Sequence, residues 1–338
     1  MLSQKSKIFV TGATGFLGSY IVRQLLADGY DDITCLTRSN SQKELTTDFY
    51  EKVSWIEGDI LDVPFLIETL QGMDCIIHAA AIVTFSTKDK KKMIQTASDG
   101  TANLVNIGMD CGVQKFVHIS SIAAIGRRKQ EEDISEKMMF SHSKYDTTYG
   151  LSKFLAEQEV WRAHAEGLNV TILNPSMILG AGKWSSSSVQ IFSKVKKGIS
   201  YYPSGTNGWV DVRDVAKAAV MSVSAEYNGE RFIISAENLP YQSIMQDIAT
   251  ELKVKGPEKK VNLNLAGIVW RLEAIRSYIT GKNPVITKET IQSTSVTARY
   301  DNTKSKEMLG LTYRPIKNCI EESCQVFKAT ESKGFGIF

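Results

Sequence analysis

Through the first half of the chain, short apolar runs rich in β-branched residues alternate with longer stretches whose apolar positions recur every three or four residues. The short runs, residues 7–11, 33–37, 53–57, 75–78, 115–119 and 169–173, predict strands. The longer ones, residues 16–27, 63–70, 90–111 and 149–166, predict helices. Strands that are apolar almost throughout suit a parallel sheet covered on both faces, and the intervening helices supply the crossovers. After Pro175 the rhythm breaks. Residues 180–188, rich in glycine and serine, predict a loop. Residues 209–212, 214–225 and 231–235 predict a return to the sheet, and the chain from Pro240 onward is mostly helical. The expected fold class is α/β: a doubly wound parallel sheet with a smaller, mainly helical C-terminal lobe. Residues 1–175 form the sheet domain, with 209–235 returning to it; residues 176–208 and 236–338 form the second lobe.

A chain of 338 residues suits two lobes sharing a cleft. With 43% hydrophobic and 23% charged residues it reads as an ordinary globular protein, and a net charge of +3 leaves no footprint for nucleic acid. The five cysteines (Cys35, Cys75, Cys111, Cys319 and Cys324) are odd in number, form no CxxC, and lie in apolar runs in three cases. A reduced, cytoplasmic protein is therefore expected. Met1 to Lys7 is short and polar and lacks the apolar stretch of a signal peptide. The best membrane candidate, residues 263–279, is interrupted by Arg271, Glu273 and Arg276 and predicts a helix packed on the core, not membrane insertion. The four histidines, His78, His118, His142 and His164, show no metal-ligand spacing, so no metal is expected. His78 and His118 fall on strands and read as core residues.

The strongest local signal is Ile8-Phe9-Val10-Thr11-Gly12-Ala13-Thr14-Gly15-Phe16-Leu17-Gly18. A strand runs into glycines spaced by three, and a helix follows. Gly12 permits a tight turn, Gly15 leaves room for a pyrophosphate, and Gly18 lets the helix pack closely on the sheet. The helix N-terminus then faces the phosphates. This predicts a Rossmann-type dinucleotide site, with Thr14, Phe16 and Leu17 of the same turn at the cofactor. Further runs follow in order: Gly58-Asp59-Ile60, His78-Ala79-Ala80-Ala81, Asn174-Pro175-Ser176, and residues 301–310 with Pro315 beyond. With the GxxGxxG spacing, they resemble the extended branch of the short-chain dehydrogenase/reductase superfamily, the NAD-dependent epimerase/dehydratase family, over nearly the whole chain. The resemblance implies that Asp59 and Ile60 lie by the adenine. It sets Ala79, Ala80 and Ala81 beside the cofactor and Pro175 near the nicotinamide.

Tyr149 and Lys153 stand four apart, on one face of a predicted helix. Tyr278/Lys282, Tyr300/Lys304 and Tyr313/Lys317 share the spacing. The last spans Pro315, which breaks a helix, and the other two lie away from the strand ends where such sheets bind ligands. Reducing a carbonyl needs hydride from a cofactor and a proton from the protein. A phenol is a weak donor near neutrality, and a neighbouring ammonium strengthens it. Lys153 can do this and also bind ribose hydroxyls. Ser121, at the end of the fifth strand, suits a hydrogen bond to the substrate oxygen, with Ser120 the runner-up. The candidate catalytic set is Ser121, Tyr149 and Lys153. Two features depart from the family. Ala97 stands where many members carry Asn, with Asn103 following Gly100-Thr101. Ile122-Ala123-Ala124 follows the serines where sugar-nucleotide dehydratases place Asp-Glu, which argues against dehydration.

Strand two ends Leu36-Thr37-Arg38, with no acid to accept from a ribose 2′-hydroxyl. Arg38 can pair with a 2′-phosphate through two hydrogen bonds, and Lys43 can reach the same group from the following helix. NADP(H) is therefore expected over NAD(H); the alternative is that Arg38 stacks on the adenine and tolerates NAD. Residues 172–180 resemble the dihydroflavonol-reductase and hydroxysteroid-dehydrogenase subgroup. That implies reduction of a ketone or aldehyde, or oxidation of a secondary alcohol, on a fairly apolar molecule. The basic clusters at residues 88–92 and 127–129 follow strand ends and read as solvated loop charge. Two other readings stay open: a sugar-nucleotide epimerase with tightly held NAD, and a non-catalytic dinucleotide sensor. The expected partner is a small-molecule substrate, with no nucleic acid, and a homodimer is left open.

Overall fold

A computed structural model describes residues 2–82, 89–126, 133–262, 270, 276 and 287–338. The first strand, β1 (Ile8–Thr11), is fully buried, and Gly12 turns the chain at φ +77° toward α1 (Phe16–Ala27). The alternation continues through β2 (Ile33–Thr37), β3 (Ser54–Glu57), α2 (Val63–Leu70), β4 (Cys75–His78) and α3 (Lys90–Asp110). It runs on through β5 (Lys115–Ile119), α4 (Thr148–Ala165) and β6 (Val170–Pro175). Then come β7 (Met177–Leu179), α5 (Gln190–Lys196), β8 (Tyr201–Tyr202), β9 (Thr206–Asp211) and α6 (Val212–Met221). They are followed by β10 (Glu230–Ile234), β11 (Glu237–Pro240), α7 (Tyr241–Glu251) and β12 (Lys259–Lys260). The last helices are α8 (Lys288–Thr294), α9 (Thr303–Glu307) and α10 (Ile316–Thr330).

Seven strands form one parallel sheet in the order β3-β2-β1-β4-β5-β6-β10. The chain starts mid-sheet, runs outward to β3, and crosses back over β1 to β4. That reversal opens a crevice at the carboxyl ends of β1 and β4, where ligands bind in such sheets. Successive residues of β1 serve opposite faces. Ile8 and Val10 pack with Ile21 and Leu25 of α1 and with Val215 and Ala219 of α6. Phe9 packs on the other face with Leu104, Phe116 and Val160, beneath α2, α3 and α4. Burial on both faces accounts for the missing polar alternation in these strands.

The return to the main sheet is narrower than the sequence pattern predicts. Of residues 209–235, only β10 pairs with it, alongside β6. Trp209–Asp211 instead lies in β9, the centre of a second sheet ordered β11-β9-β7. Trp209 and Val210 are buried as their apolarity requires. Apolarity marks burial, however, and does not name the partner strand. β6 also runs two residues past its predicted end, because β10 pairs with it as far as Pro175 after β5 has stopped at Leu173. A separate core gathers Trp184, Phe192, Trp209, Ile244, Ile316 and Phe327 under α5, α7 and α10. Residues 263–279, apart from 270 and 276, lie outside the described residues, as do Tyr278, Lys282, Lys88 and the 127–129 cluster. Among the described residues no helix is long and apolar enough to cross a membrane.

Candidate active site

The crevice is built first by its glycines. A Cβ on Gly12 would lie 2.7 Å from the Ala80 nitrogen and 2.9 Å from the Ala79 oxygen, so the turn is locked against the end of β4. A Cβ on Gly18 would lie 2.0 Å from the Gly12 oxygen. Gly15, which opens α1, differs: its Cβ would meet only the Gly12 oxygen, at 3.1 Å. The first turn of α1 carries no acidic residue and no side chain caps it. That leaves the positive end of a 12-residue helix to an anion, and a dinucleotide pyrophosphate fits it.

Around this turn, Thr14, Phe16 and Leu17 are partly accessible, whereas Gly18, Ile60 and Pro175 are buried and shape the site from behind. Ala79 and Ala80 hang on Thr11: the Ala79 amide donates to its carbonyl (3.2 Å) and the Ala80 amide to its hydroxyl (3.2 Å). Ala81 is exposed. Asp59 is exposed too, and its carboxylate accepts from the Leu61 amide (3.0 Å). Asn103 donates to the Ile60 carbonyl (3.1 Å), so it holds the Gly58-Asp59-Ile60 segment from α3. Arg38 and Lys43 are both exposed. Lys43 precedes a short 3-10 turn, not the helix expected there, and its ammonium donates to the Tyr50 hydroxyl (2.8 Å).

The other half of the site is the start of α4. Thr147 caps the helix, its hydroxyl accepting from the Gly150 amide (3.0 Å). A Cβ on Gly150 would lie 2.6 Å from the Ala123 oxygen, so α4 begins in contact with the turn that follows β5. That contact brings Tyr149 near Ser121, whose hydroxyl pulls the phenol's pKa down. Ser120 is buried and its hydroxyl has no partner among the described residues, so Ser121 is the serine brought near the phenol. Burial pushes the Tyr149 phenol above its usual range, against the smaller pull of Ser121.

One turn along, Lys153 is buried and donates to the Ile119 carbonyl (2.7 Å). Burial lowers its ammonium to about 8, with Glu157 acting the other way. Glu157, a further turn along, is 1% exposed and pairs with Arg231 of β10 (3.2 Å). Asn174 bridges the halves, donating to Glu157 (2.6 Å) and to the Ser121 carbonyl (2.9 Å). Tyr149, Lys153 and Glu157 thus repeat every four residues on one helix face. The spacing from Lys153 was the available signal for Glu157, but a glutamate in a helix reads as surface until its burial is seen. His78 sits between the hydroxyls of Thr11 (2.7 Å) and Thr101 (3.2 Å). Burial, with Lys153 adding to it, pushes His78 down to about 3, so it is a neutral core residue. Among the described residues no three His, Cys, Asp or Glu side chains group to hold a metal.

Residues beyond Pro175 reach this site at both ends. Lys183 donates to Gln42 and lies 3.6 Å from Glu44, beside the turn after β2. Its neighbour Gly182 lies against Phe16, whose ring a Cβ there would meet at 2.7 Å. At the other end Glu289 of α8 pairs with Lys90 and accepts from Thr148.

The family described as the NAD dependent epimerase/dehydratase family matches residues 8–235 of this chain. A protein of Synechocystis sp. named for dihydroflavonol 4-reductase is 28% identical over 327 residues, covering 95% of this chain and 94% of that one. Cinnamoyl-CoA reductase 1 of Petunia hybrida is 25% identical, covering 97% and 92%. Among solved structures, gox2253 superimposes with a TM-score of 0.82 at 27% identity, covering 96% of this chain and 98% of that one. The UDP-glucose 4-epimerase of Thermotoga maritima shares the fold, with a TM-score of 0.78 at 18% identity over 96% and 99% of the two chains.

Proposed function

The chain belongs to the NAD dependent epimerase/dehydratase family and is an NAD(P)-dependent oxidoreductase-type enzyme, and we propose that it reduces a ketone or aldehyde on a fairly apolar small molecule, or oxidises the matching secondary alcohol, with a preference for NADP(H). The observation that carries this reading is the start of α4 packed on the turn after β5, which sets the Tyr149 phenol near Ser121 and one turn from the buried Lys153. Bound nicotinamide supplies the hydride. Tyr149 gives its proton to the substrate oxygen as charge develops there, and Ser121 donates a hydrogen bond to the same atom. Lys153 carries its charge beside the phenol and turns its remaining N–H donors to ribose hydroxyls. Residues 1–175 bind the dinucleotide, and residues 176–208 and 236–338 select the substrate.

Two features favour a reductase over other members of the family. The turn Ile122–Ala124, where dehydratases place an acid pair, is apolar, with Ile122 and Ala124 buried. The relatives matched along almost the whole chain include proteins named as reductases. A panel of apolar ketones and aldehydes, with nucleoside-diphosphate sugars beside them, tests the reading through the absorbance of reduced nicotinamide. NADPH consumed with a carbonyl of the first group supports it. Sugar-nucleotide epimerisation with no net cofactor turnover would overturn it.

A further inference from the structure

We propose that Glu289 is a positioning residue for the reaction: its carboxylate pins the start of α4, and so fixes the Tyr149 phenol against Ser121. It reaches the site from 140 residues downstream and rests on the reading of Tyr149 as proton donor. Thr148 is the first residue of α4 and Tyr149 the second. The first amides of a helix have no partner within it. Here Thr147 takes the Gly150 amide (3.0 Å), and Glu289 Oε2 accepts from the Thr148 amide (3.1 Å). The Thr148 hydroxyl donates to the same carboxylate (3.0 and 3.3 Å), and Lys90 pairs with it. A carboxylate at the positive end of an 18-residue helix is also favoured by the helix dipole. Lys90 opens α3, the helix that follows the Ala79–Ala81 strand end, so one carboxylate ties together three segments around the crevice.

Neither Glu289 nor Lys90 is deeply buried, with side chains 31% and 34% exposed, so the group is not needed to complete a core. Its anchor is firm, because Thr287 and Thr290 form a reciprocal cap at the start of α8. On the far side, Gly150 touches Ala123 and leaves α4 no room to advance. Removing Glu289 frees the helix start in the other direction, away from Ser121. A displacement of about 1 Å at a reacting group costs on the order of 10²-fold in rate.

Four variants test this. Glu289→Ala is expected to lower kcat roughly tenfold or more while leaving cofactor affinity within about twofold. Glu289→Gln keeps an acceptor for the Thr148 amide and is expected to recover most of the rate. Thr148→Val removes the hydroxyl and serves if Glu289→Ala is not recovered folded; a smaller fall in kcat with the same unchanged affinity is expected. The decisive readout is Glu289→Ala in a Tyr149→Phe background. If Glu289 acts through the phenol, it costs the residual rate nothing further; a merely structural role subtracts its full effect again. An unchanged kcat per folded enzyme in Glu289→Ala and Thr148→Val, or full additivity of Glu289→Ala with Tyr149→Phe, overturns the proposal. Should Tyr149→Phe alone keep normal turnover, it is the reading of Tyr149 that fails.

Discussion

Lys153 is buried where a lysine is costly, and the surrounding residues decide how long it keeps its charge. Its ammonium is lowered from 10.5 to about 8 by burial, and Glu157 limits the fall. The Tyr149 phenol is raised above its usual value and stays protonated across the same window. Carbonyl reduction needs both groups protonated, so its rate should hold below about pH 8 and decline as pH rises through that value. Glu157→Gln removes the charge that supports Lys153, and the decline should move to lower pH. The same variant leaves the Arg231 guanidinium, 11% exposed, without its partner charge, which costs about 3–5 kcal/mol. A pH–rate profile and a thermal melt of the two proteins check both statements. An unmoved limb in the variant would detach Glu157 from the titration of Lys153.

At the scale of elements, the early strands and helices were legible because most of them carry their own burial in the sequence, as apolar runs or helical spacing. β1 shows this in Ile8, Phe9 and Val10, and α1 in Ile21 and Leu25. What the pattern did not reveal was pairing: the Trp209 strand looked like a return to the main sheet and joined another sheet. In the same way Ser121, Tyr149 and Lys153 stood out by position. The contacts that Glu157, Asn174 and Glu289 make were hidden because these partners lie on other elements, 17 to 141 residues away. The end of β2 makes its own prediction. Its last residue, Thr37, is followed by the exposed Arg38 and not by an acid. Arg38→Ala should weaken NADPH binding by about tenfold or more, as loss of a charge-assisted pair of about 1.5–3 kcal/mol implies, and change NADH binding little. Fluorescence titration of both cofactors measures it, and equal losses for the two would mean that Arg38 stacks on the adenine instead.

At the scale of the whole molecule, two cores share the side chains of Phe16 and Phe338, which pack against both. The second core is anchored by Phe327, 1% exposed, whose ring meets Trp184 edge-on at 5.0 Å. Trp184 follows Lys183, which holds the turn after β2. Phe327→Ala should therefore cost about 3–5 kcal/mol in a denaturant titration and also loosen cofactor binding. A variant that is destabilised yet binds cofactor normally would show that the lobes act independently. The central claim is that this family fold carries out hydride-coupled proton transfer through one phenol. The most direct test is single-turnover NADPH oxidation by Tyr149→Phe, which keeps the ring and loses the proton. The account predicts cofactor binding close to that of the native protein and a rate lower by roughly 10²–10⁴-fold. A rate near the native one, with cofactor fully bound, would contradict it.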